Sequence, residues 1–162
     1  MKARKSNTKK TIGRSELIDL PDWDLVGILA KTDTGAYTSS IHCHEIELVQ
    51  EGDQEILEFK LLDPDRPQYH GKVYRSAEYK KKVITNSFGQ SEERFVVTAK
   101  IKLFGIEYLT EFSLTDRGSM KFPVLLGRKL LRKRFLVNVD KKNLSYRYLG
   151  LEKAPKSKKK QG

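Results

Sequence analysis

Period-two alternation dominates the chain. In Arg94–Gly105, RFVVTAKIKLFG, the residues Phe95, Val97, Ala99, Ile101 and Leu103 fall on one face and Thr98, Lys100 and Lys102 on the other, the pattern of a strand with one buried face. Tyr108, Thr110, Phe112 and Leu114 then alternate with Glu111 and Ser113, and Gly105 in the intervening FGIE supplies a turn. Further strands are predicted at Leu25–Asp33, Ile41–Val49, Glu55–Leu62, Lys80–Asn86, Val124–Leu126 and Phe135–Val139. Gly52, the DPDRP run at Asp63–Pro67 and the SFGQ run at Ser87–Gln90 punctuate them. One helix is expected, Arg128–Arg132 directly after Gly127, and RKLLR is too short to form a packing layer alone. The pattern predicts a mainly-β domain whose many short strands form a closed or folded-over sheet.

Composition limits this picture to one domain. A chain of 162 residues, 38% hydrophobic and 33% charged, can bury a real core but not two large ones. No apolar run approaches membrane-spanning length, so no membrane contact is expected. The basic start MKARKSNTKK leads into no apolar segment of the kind a secretory signal needs, and a cytoplasmic location is the expectation. A single cysteine, Cys43, allows no internal disulfide, in agreement with a reducing compartment.

Charge changes the picture less than its total suggests. Nine of the eleven net positive charges come from Met1–Lys10 and Ala154–Gly162, which contain no acid, so the body between carries only +2. A nearly balanced body does not form a broad basic face for nucleic acid. Residues 1–10 and 151–162 are expected to be disordered, solubilising tails flanking a domain at 11–150. Their lysines would support weak, salt-sensitive contact with RNA or a ribosome.

The candidate chemistry lies in AKTDTGAYTSS, Ala30–Ser40. Two carboxylates that share a proton can hydrolyse a peptide without a metal or a nucleophilic side chain, one activating water and the other protonating the substrate carbonyl. Asp33 ends a predicted strand, Gly35 lets a backbone amide approach its carboxylate, and Thr34 offers a hydroxyl to lock the turn. Ala36, Ser39 and Ser40 are small enough for another backbone to pack closely. Taken alone, TDTG is equally an ordinary strand-ending turn. An aspartyl-phosphate motif would place Lys directly after the aspartate, which this chain does not.

The second half of the chain adds FPVLLGRKLL, Phe122–Leu131, an apolar strand running into Gly127 and a short helix. Together AKTDTGA and VLLGRKLL resemble the retropepsin-like aspartic proteases, in which an apolar-apolar-Gly strand crosses beneath an Asp-Thr-Gly strand end. The ordered motifs IGRSELIDLP, AKTDTGAYTSSIH, NSFGQSEERFVV, SLTDRGSMKFPVLLGRKLL and RFLVNVD, spanning Ile12–Asp140, are similar to those of a bacterial retropepsin-like family labelled ATP-dependent zinc protease. The resemblance implies a retropepsin-like closed β-barrel with one short C-terminal helix, with Asp33 as catalytic aspartate and Thr34 and Gly35 as its supports. With one such motif per chain, it implies a homodimer in which Asp33 of each copy meets across a two-fold axis, the pair holding one proton.

The same resemblance places a flap on Lys80–Thr98 with its tip at Ser87–Gln90, so that Ser87 and Gly89 would bond the peptide and Ala36 would line its site. Residues 31 and 33 of a strand share a face, which would set Lys31 beside Asp33, where a cation favours acidic side chains and lowers the pKa of the pair. Arg94 and Arg117 match basic positions of the family and would add to an acidic-substrate pocket, or serve as ion-pair partners. Members of the family are associated with ATP-grasp ligases that add glutamates to a protein, which implies a glutamate-rich or glutamylated substrate and such a ligase as a partner. Retroviral relatives pair an aspartate directly after their DTGA motif with the arginine after the apolar-apolar-Gly motif. Tyr37 and Arg128 occupy those positions here, so the retroviral dimer geometry does not carry over directly.

The zinc label has little in the sequence to carry it. His42 and His44 would share a strand face with Ile46 and Leu48, with Cys43 on the other, but two imidazoles need further ligands and the one other histidine is His70. No HExxH and no phosphate-binding Gly-x-x-x-x-Gly-Lys-Ser/Thr loop occurs, so no metal or cofactor is expected. The readings are therefore an aspartic endopeptidase, then a non-catalytic module that binds acidic tails or an ATP-grasp ligase, then a zinc-dependent hydrolase.

Overall fold

The computed structural model describes residues 8–85, 88–116 and 121–151. Ten strands dominate it: β1 (Lys10–Leu20), β2 (Leu25–Thr32), β3 (Ser39–Glu51), β4 (Gln54–Leu61), β5 (Tyr74–Ser76), β6 (Lys80–Thr85), β7 (Ser91–Leu103), β8 (Ile106–Thr115), β9 (Val124–Leu126) and β10 (Phe135–Lys142). Two short helices follow β9 and β10, α1 (Arg128–Leu131) and α2 (Leu144–Tyr148).

Six strands close on themselves in the order β1-β2-β9-β3-β8-β7, and the ring is completed where Asp19 of β1 pairs with Lys102 of β7. Closure leaves the barrel without free edges. The expected mainly-β closed barrel is therefore what the chain forms. Its interior is filled by Ile18, Ile28, Ala30, Ile41, Ala99, Ile101, Phe112, Val124 and Leu126, none more than 1% exposed. The predicted alternation in β7 holds from Val97 to Leu103, where buried Val97, Ala99, Ile101 and Leu103 alternate with exposed Thr98, Lys100 and Lys102.

Outside the ring, β10 runs parallel to β1, β6 extends β7 as an antiparallel hairpin, and β4 and β5 extend β3. Trp23, in a 3-10 turn after β1, joins these parts by packing its ring against Phe59 and Phe112 at centroid distances of 6.2 and 5.8 Å. Tyr74 of β5 donates its hydroxyl to the Trp23 carbonyl at 2.7 Å.

Three elements depart from the sequence-based expectation. β1 and β5 were not foreseen as strands, and α2 adds a second helix after Asn143, whose φ is 58°. β1 begins at Lys10, the last residue of the expected tail.

Candidate active site

The site is built where β9 inserts between two strands that are neighbours in sequence. β9 pairs in parallel with β2, Ala30 opposite Val124 and Thr32 opposite Leu126, and antiparallel with β3, Ser40 opposite Leu125. The loop from Asp33 to Thr38 must therefore bridge over β9 instead of forming a hairpin. Asp33 N–H donates to the Leu126 carbonyl at 2.9 Å, anchoring the aspartate to the end of β9. Gly35 N–H donates to Asp33 Oδ1 at 3.0 Å and Ala36 N–H to the Asp33 carbonyl at 3.2 Å. The carboxylate is thus fixed by its own turn, as the pairing of Asp33 with Gly35 predicts, and it stays half-buried rather than enclosed.

The second half of the chain holds this loop from behind. Arg128 N–H donates to the Ala36 carbonyl at 2.8 Å, Lys129 N–H to the Tyr37 carbonyl at 2.9 Å and Gly127 N–H to Ser39 Oγ at 3.0 Å. A Cβ on residue 127 would lie 2.7 Å from the Tyr37 carbonyl oxygen and 2.8 Å from the Thr38 carbonyl carbon, so this backbone approach requires glycine. Arg128 also donates from Nη1 to the Thr34 carbonyl at 2.9 Å and sets its guanidinium 5.7 Å from the centroid of the Tyr37 ring. A cation–π contact therefore stands where retroviral relatives have an ion pair. Thr34 contributes its carbonyl to this network rather than a hydroxyl lock.

Asp33 opens onto a groove of about 610 Å³. Gly35, Ala36, Tyr37, Thr38 and Ser40 line it from the Asp33 loop and β3, and residues 82–85 with Arg94 line it from the β6–β7 hairpin. Gly89 adopts φ +82° at the hairpin tip, with nothing within 4 Å of the position a Cβ would take. Ser87 and Arg117 lie outside the described residues.

The groove's cations are not all those the sequence pointed to. Arg94 lines it, while donating from Nε to Glu92 at 2.8 Å and from Nη1 to Thr115 Oγ1 at 3.3 Å. Lys31 is exposed on β2 and is not among the lining residues. Lys82, directly opposite Arg94 in the hairpin register, is. Two like charges in a cross-strand pair repel, and each is offset by a carboxylate, Glu92 for Arg94 and Glu111 for Lys82. Glu111 accepts from Lys80, Lys82 and Lys129 at 2.6, 2.8 and 2.8 Å. Lys129 first, then Lys80 and Lys82, hold its carboxyl well below the usual carboxylate range. Lys82 was legible in principle, because the hairpin centred on SFGQ puts residues 82 and 94 opposite one another.

The two histidines of β3 pack against neighbours, although the buried Nε2 of His44 has no hydrogen-bond partner among the described residues. His42 is 3% exposed and its Nε2 lies 2.8 Å from Asp63 Oδ1. His44 stacks between His42 and Tyr69 at centroid distances of 6.5 and 5.9 Å. A bulge between His44 and Glu47, with Glu45 at φ 55°, interrupts the expected common face with Ile46 and Leu48. Among the described residues no group of three or more His, Cys, Asp or Glu is arranged to hold a metal ion, and no helix is long and apolar enough to cross a membrane.

Comparison with known proteins places this geometry in a family. A probable alpha-L-glutamate ligase of Desulfotalea psychrophila is 35% identical over 134 residues, which make up 80% of this chain and 28% of the ligase. A probable alpha-L-glutamate ligase of Shewanella pealeana is 32% identical over 136 residues, 82% of this chain and 29% of the ligase. The chain thus spans less than a third of the length of these curated relatives. The crystal structure of a Legionella pneumophila protein of unknown function superimposes with a TM-score of 0.67 at 23% identity, covering 85% of this chain and 99% of that one; this likeness shows the fold. A family model described as RimB-like, retropepsin-like aspartic endopeptidase RimB, matches residues 11–147. Since that match takes in the barrel, the Asp33 loop, the hairpin and the β9–α1 support, the chain belongs to the RimB-like family of retropepsin-like proteins.

Proposed function

We propose that the chain is an aspartic endopeptidase of retropepsin type, working as a homodimer in which Asp33 of each copy forms one half of the active site. The observation that carries this reading is the Asp33 carboxylate, held by Gly35 N–H at 3.0 Å and open to a groove bordered by the β6–β7 hairpin. In the paired site one carboxylate takes a proton from water as the water oxygen bonds to the peptide carbonyl carbon. The other carboxyl gives its proton to the carbonyl oxygen. On collapse of the gem-diol the carboxyl that took up the water proton gives it to the leaving nitrogen as the C–N bond breaks, and a diol hydroxyl returns its proton to the other carboxylate as the product acid forms, so that the pair again shares one.

Glutamate-rich or glutamylated peptide is the proposed substrate, supported by Lys82 and Arg94 in the groove lining. Ala36, Lys31 and Arg117 as contacts to an acidic substrate, and Ser87 and Gly89 as flap-tip contacts to the peptide, remain part of the proposal. Purified protein should cleave a glutamate-rich peptide, and Asp33→Asn should abolish cleavage while leaving the sedimentation behaviour unchanged. Undiminished cleavage by that variant would sink the mechanism.

A second reading, a non-catalytic module for acidic tails or for an ATP-grasp ligase, is favoured by the names of the relatives. The segment they share with this chain is 28–29% of proteins called glutamate ligases. Tight binding of an acidic peptide without turnover across the pH range would select it over the protease.

A further inference from the structure

Tyr37 borders more than the Asp33 groove. It also lines a cleft of about 500 Å³ whose remaining lining is entirely cationic: Lys129, Arg132, Lys133 and Arg134. Groove and cleft thus share Tyr37 as a common wall. An extended peptide advances roughly 3.3 Å per residue, so a chain leaving the groove past Tyr37 reaches the cleft within a few residues.

The four cations are not equally free. Arg134 donates from Nη1 to the Leu130 carbonyl at 2.9 Å and lies 5.4 Å from the Tyr108 ring centroid. Lys129 is bonded to Glu111 at 2.8 Å. Arg132 and Lys133 are exposed, and their side chains make no ion pair, hydrogen bond or ring contact among the described residues. A guanidinium with an unused fork beside an unpaired ammonium is an arrangement suited to carboxylates.

Peptide carboxylates fit this cleft better than RNA phosphates. Single-stranded nucleic acid is held by a basic track combined with free aromatic platforms. Here Tyr37 and Tyr108 each already carry a guanidinium, from Arg128 and Arg134, and the body outside the tails has a net charge of only +2. Lys129, in the cleft wall, already binds one carboxylate, that of Glu111.

We propose that this cleft is a second carboxylate subsite, in which Arg132 and Lys133 bind acidic side chains of the same peptide a few residues from the bond cleaved at Asp33. The inference rests on the proteolytic reading above, and extends it from the groove to a site that sets how far an acidic tract is read. Each exposed charge pair contributes ~0.2–1 kcal/mol, so the two together should change selectivity by about 2- to 30-fold.

The test compares two peptides identical around the scissile bond, one extended by four glutamates and the other by four glutamines, by their kcat/KM ratio. The wild-type ratio should favour the glutamate peptide and should fall toward 1 in Arg132→Ala/Lys133→Ala. Arg132→Lys/Lys133→Arg should retain most of it. A double-alanine variant with the wild-type ratio would overturn the subsite. A binding arm separates this failure from failure of the protease reading. Anisotropy of a labelled hexaglutamate peptide is measured on Asp33→Asn, with and without the two alanines. Binding weakened several-fold by the alanines sustains the subsite even if no peptide is ever cut, and binding unchanged by them refutes it. A labelled single-stranded RNA hexamer that binds more tightly than hexaglutamate through these two residues would likewise overturn the assignment to peptide.

Discussion

Gly127→Ala tests whether the Asp33 loop is held by the close backbone crossing at β9. The new Cβ would sit 2.7 Å from the Tyr37 carbonyl oxygen, 2.8 Å from Thr38 C and 2.9 Å from Tyr37 C, about 0.7 Å inside ordinary van der Waals contact. All three atoms are backbone, so no side chain can swing aside. The loop must lift, and the hydrogen bonds nearest the clash, Arg128 N–H to Ala36 O at 2.8 Å and Lys129 N–H to Tyr37 O at 2.9 Å, would stretch to about 3.5 Å, beyond useful length. Losing two such bonds costs about 2 kcal/mol in net terms, and residual overpacking adds about 1–3 kcal/mol. The reduced freedom of the unfolded chain on replacing glycine returns about 0.4–1 kcal/mol. The expected loss is therefore about 2–5 kcal/mol, a large part of a typical domain's stability but compatible with folding.

The assay is urea unfolding followed by the fluorescence of Trp23, the single tryptophan, which is 8% exposed in the folded protein. With a slope of about 2 kcal/mol per molar urea, the midpoint should fall by about 1–2.5 M. Gly35→Ala is the matched control. Its Cβ meets only Asp33 Oδ1, at 3.4 Å, and its backbone is not in the left-handed region, so it should lose less than about 1 kcal/mol. A Gly127→Ala loss below about 1 kcal/mol, or no larger than that of Gly35→Ala, would refute the argument that this crossing fixes the loop.

Two further outcomes follow from ionisable groups. Glu111 has a folded pKa held below its ordinary value near 4.5 by Lys129, Lys80 and Lys82, so its contribution is fully present above the unfolded pKa and is lost as pH falls below it. The stability difference between wild type and Glu111→Gln should be constant from pH 7 to about 5 and shrink toward pH 3; a difference independent of pH would remove the lysine cluster as its cause. Cys43 is fully buried, and burial, with Asp116 adding to it, pushes its thiol up to about 12. Disulfide exchange reagents at pH 8 should leave Cys43 untouched in native protein and modify it stoichiometrically in urea, and rapid labelling of the native state would contradict this packing.

β1 shows why part of the barrel was not legible. In Lys10–Leu20 the buried residues do not alternate: Ser15, Glu16, Leu17 and Ile18 are all covered. The strand has neighbours on both edges and buried residues on both faces, which erases the period-two signal. Glu16 looks like a surface residue in sequence yet is fully buried. Its carboxylate accepts Gly13 N–H at 2.7 Å and Ser145 N–H at 2.8 Å, and burial raises its pKa. Ser145 is 129 residues away in sequence. No local pattern can announce a buried carboxyl group whose partner is an amide at the far end of the chain, and the same contact explains why the sequence does not predict α2, five residues long: its position depends on Glu16 rather than on helix propensity.

The sequence by itself determined the class of the fold, the Asp33 turn and the apolar strand behind it. The first two rest on local rules, alternation in β7 and β8 and the reach from Gly35 N–H to an aspartate two residues earlier, while the placing of VLLG behind Asp33 came from the resemblance to the retropepsin-like proteases. Only the tertiary structure decided which cations face the groove. Lys31 lies near the end of β2, two residues before Asp33, yet stays outside the lining, whereas Lys82 reaches it from a hairpin more than forty residues away. Side-chain parity along one strand says which residues share a face, but a groove is bounded by several strands, and their register is set by barrel closure.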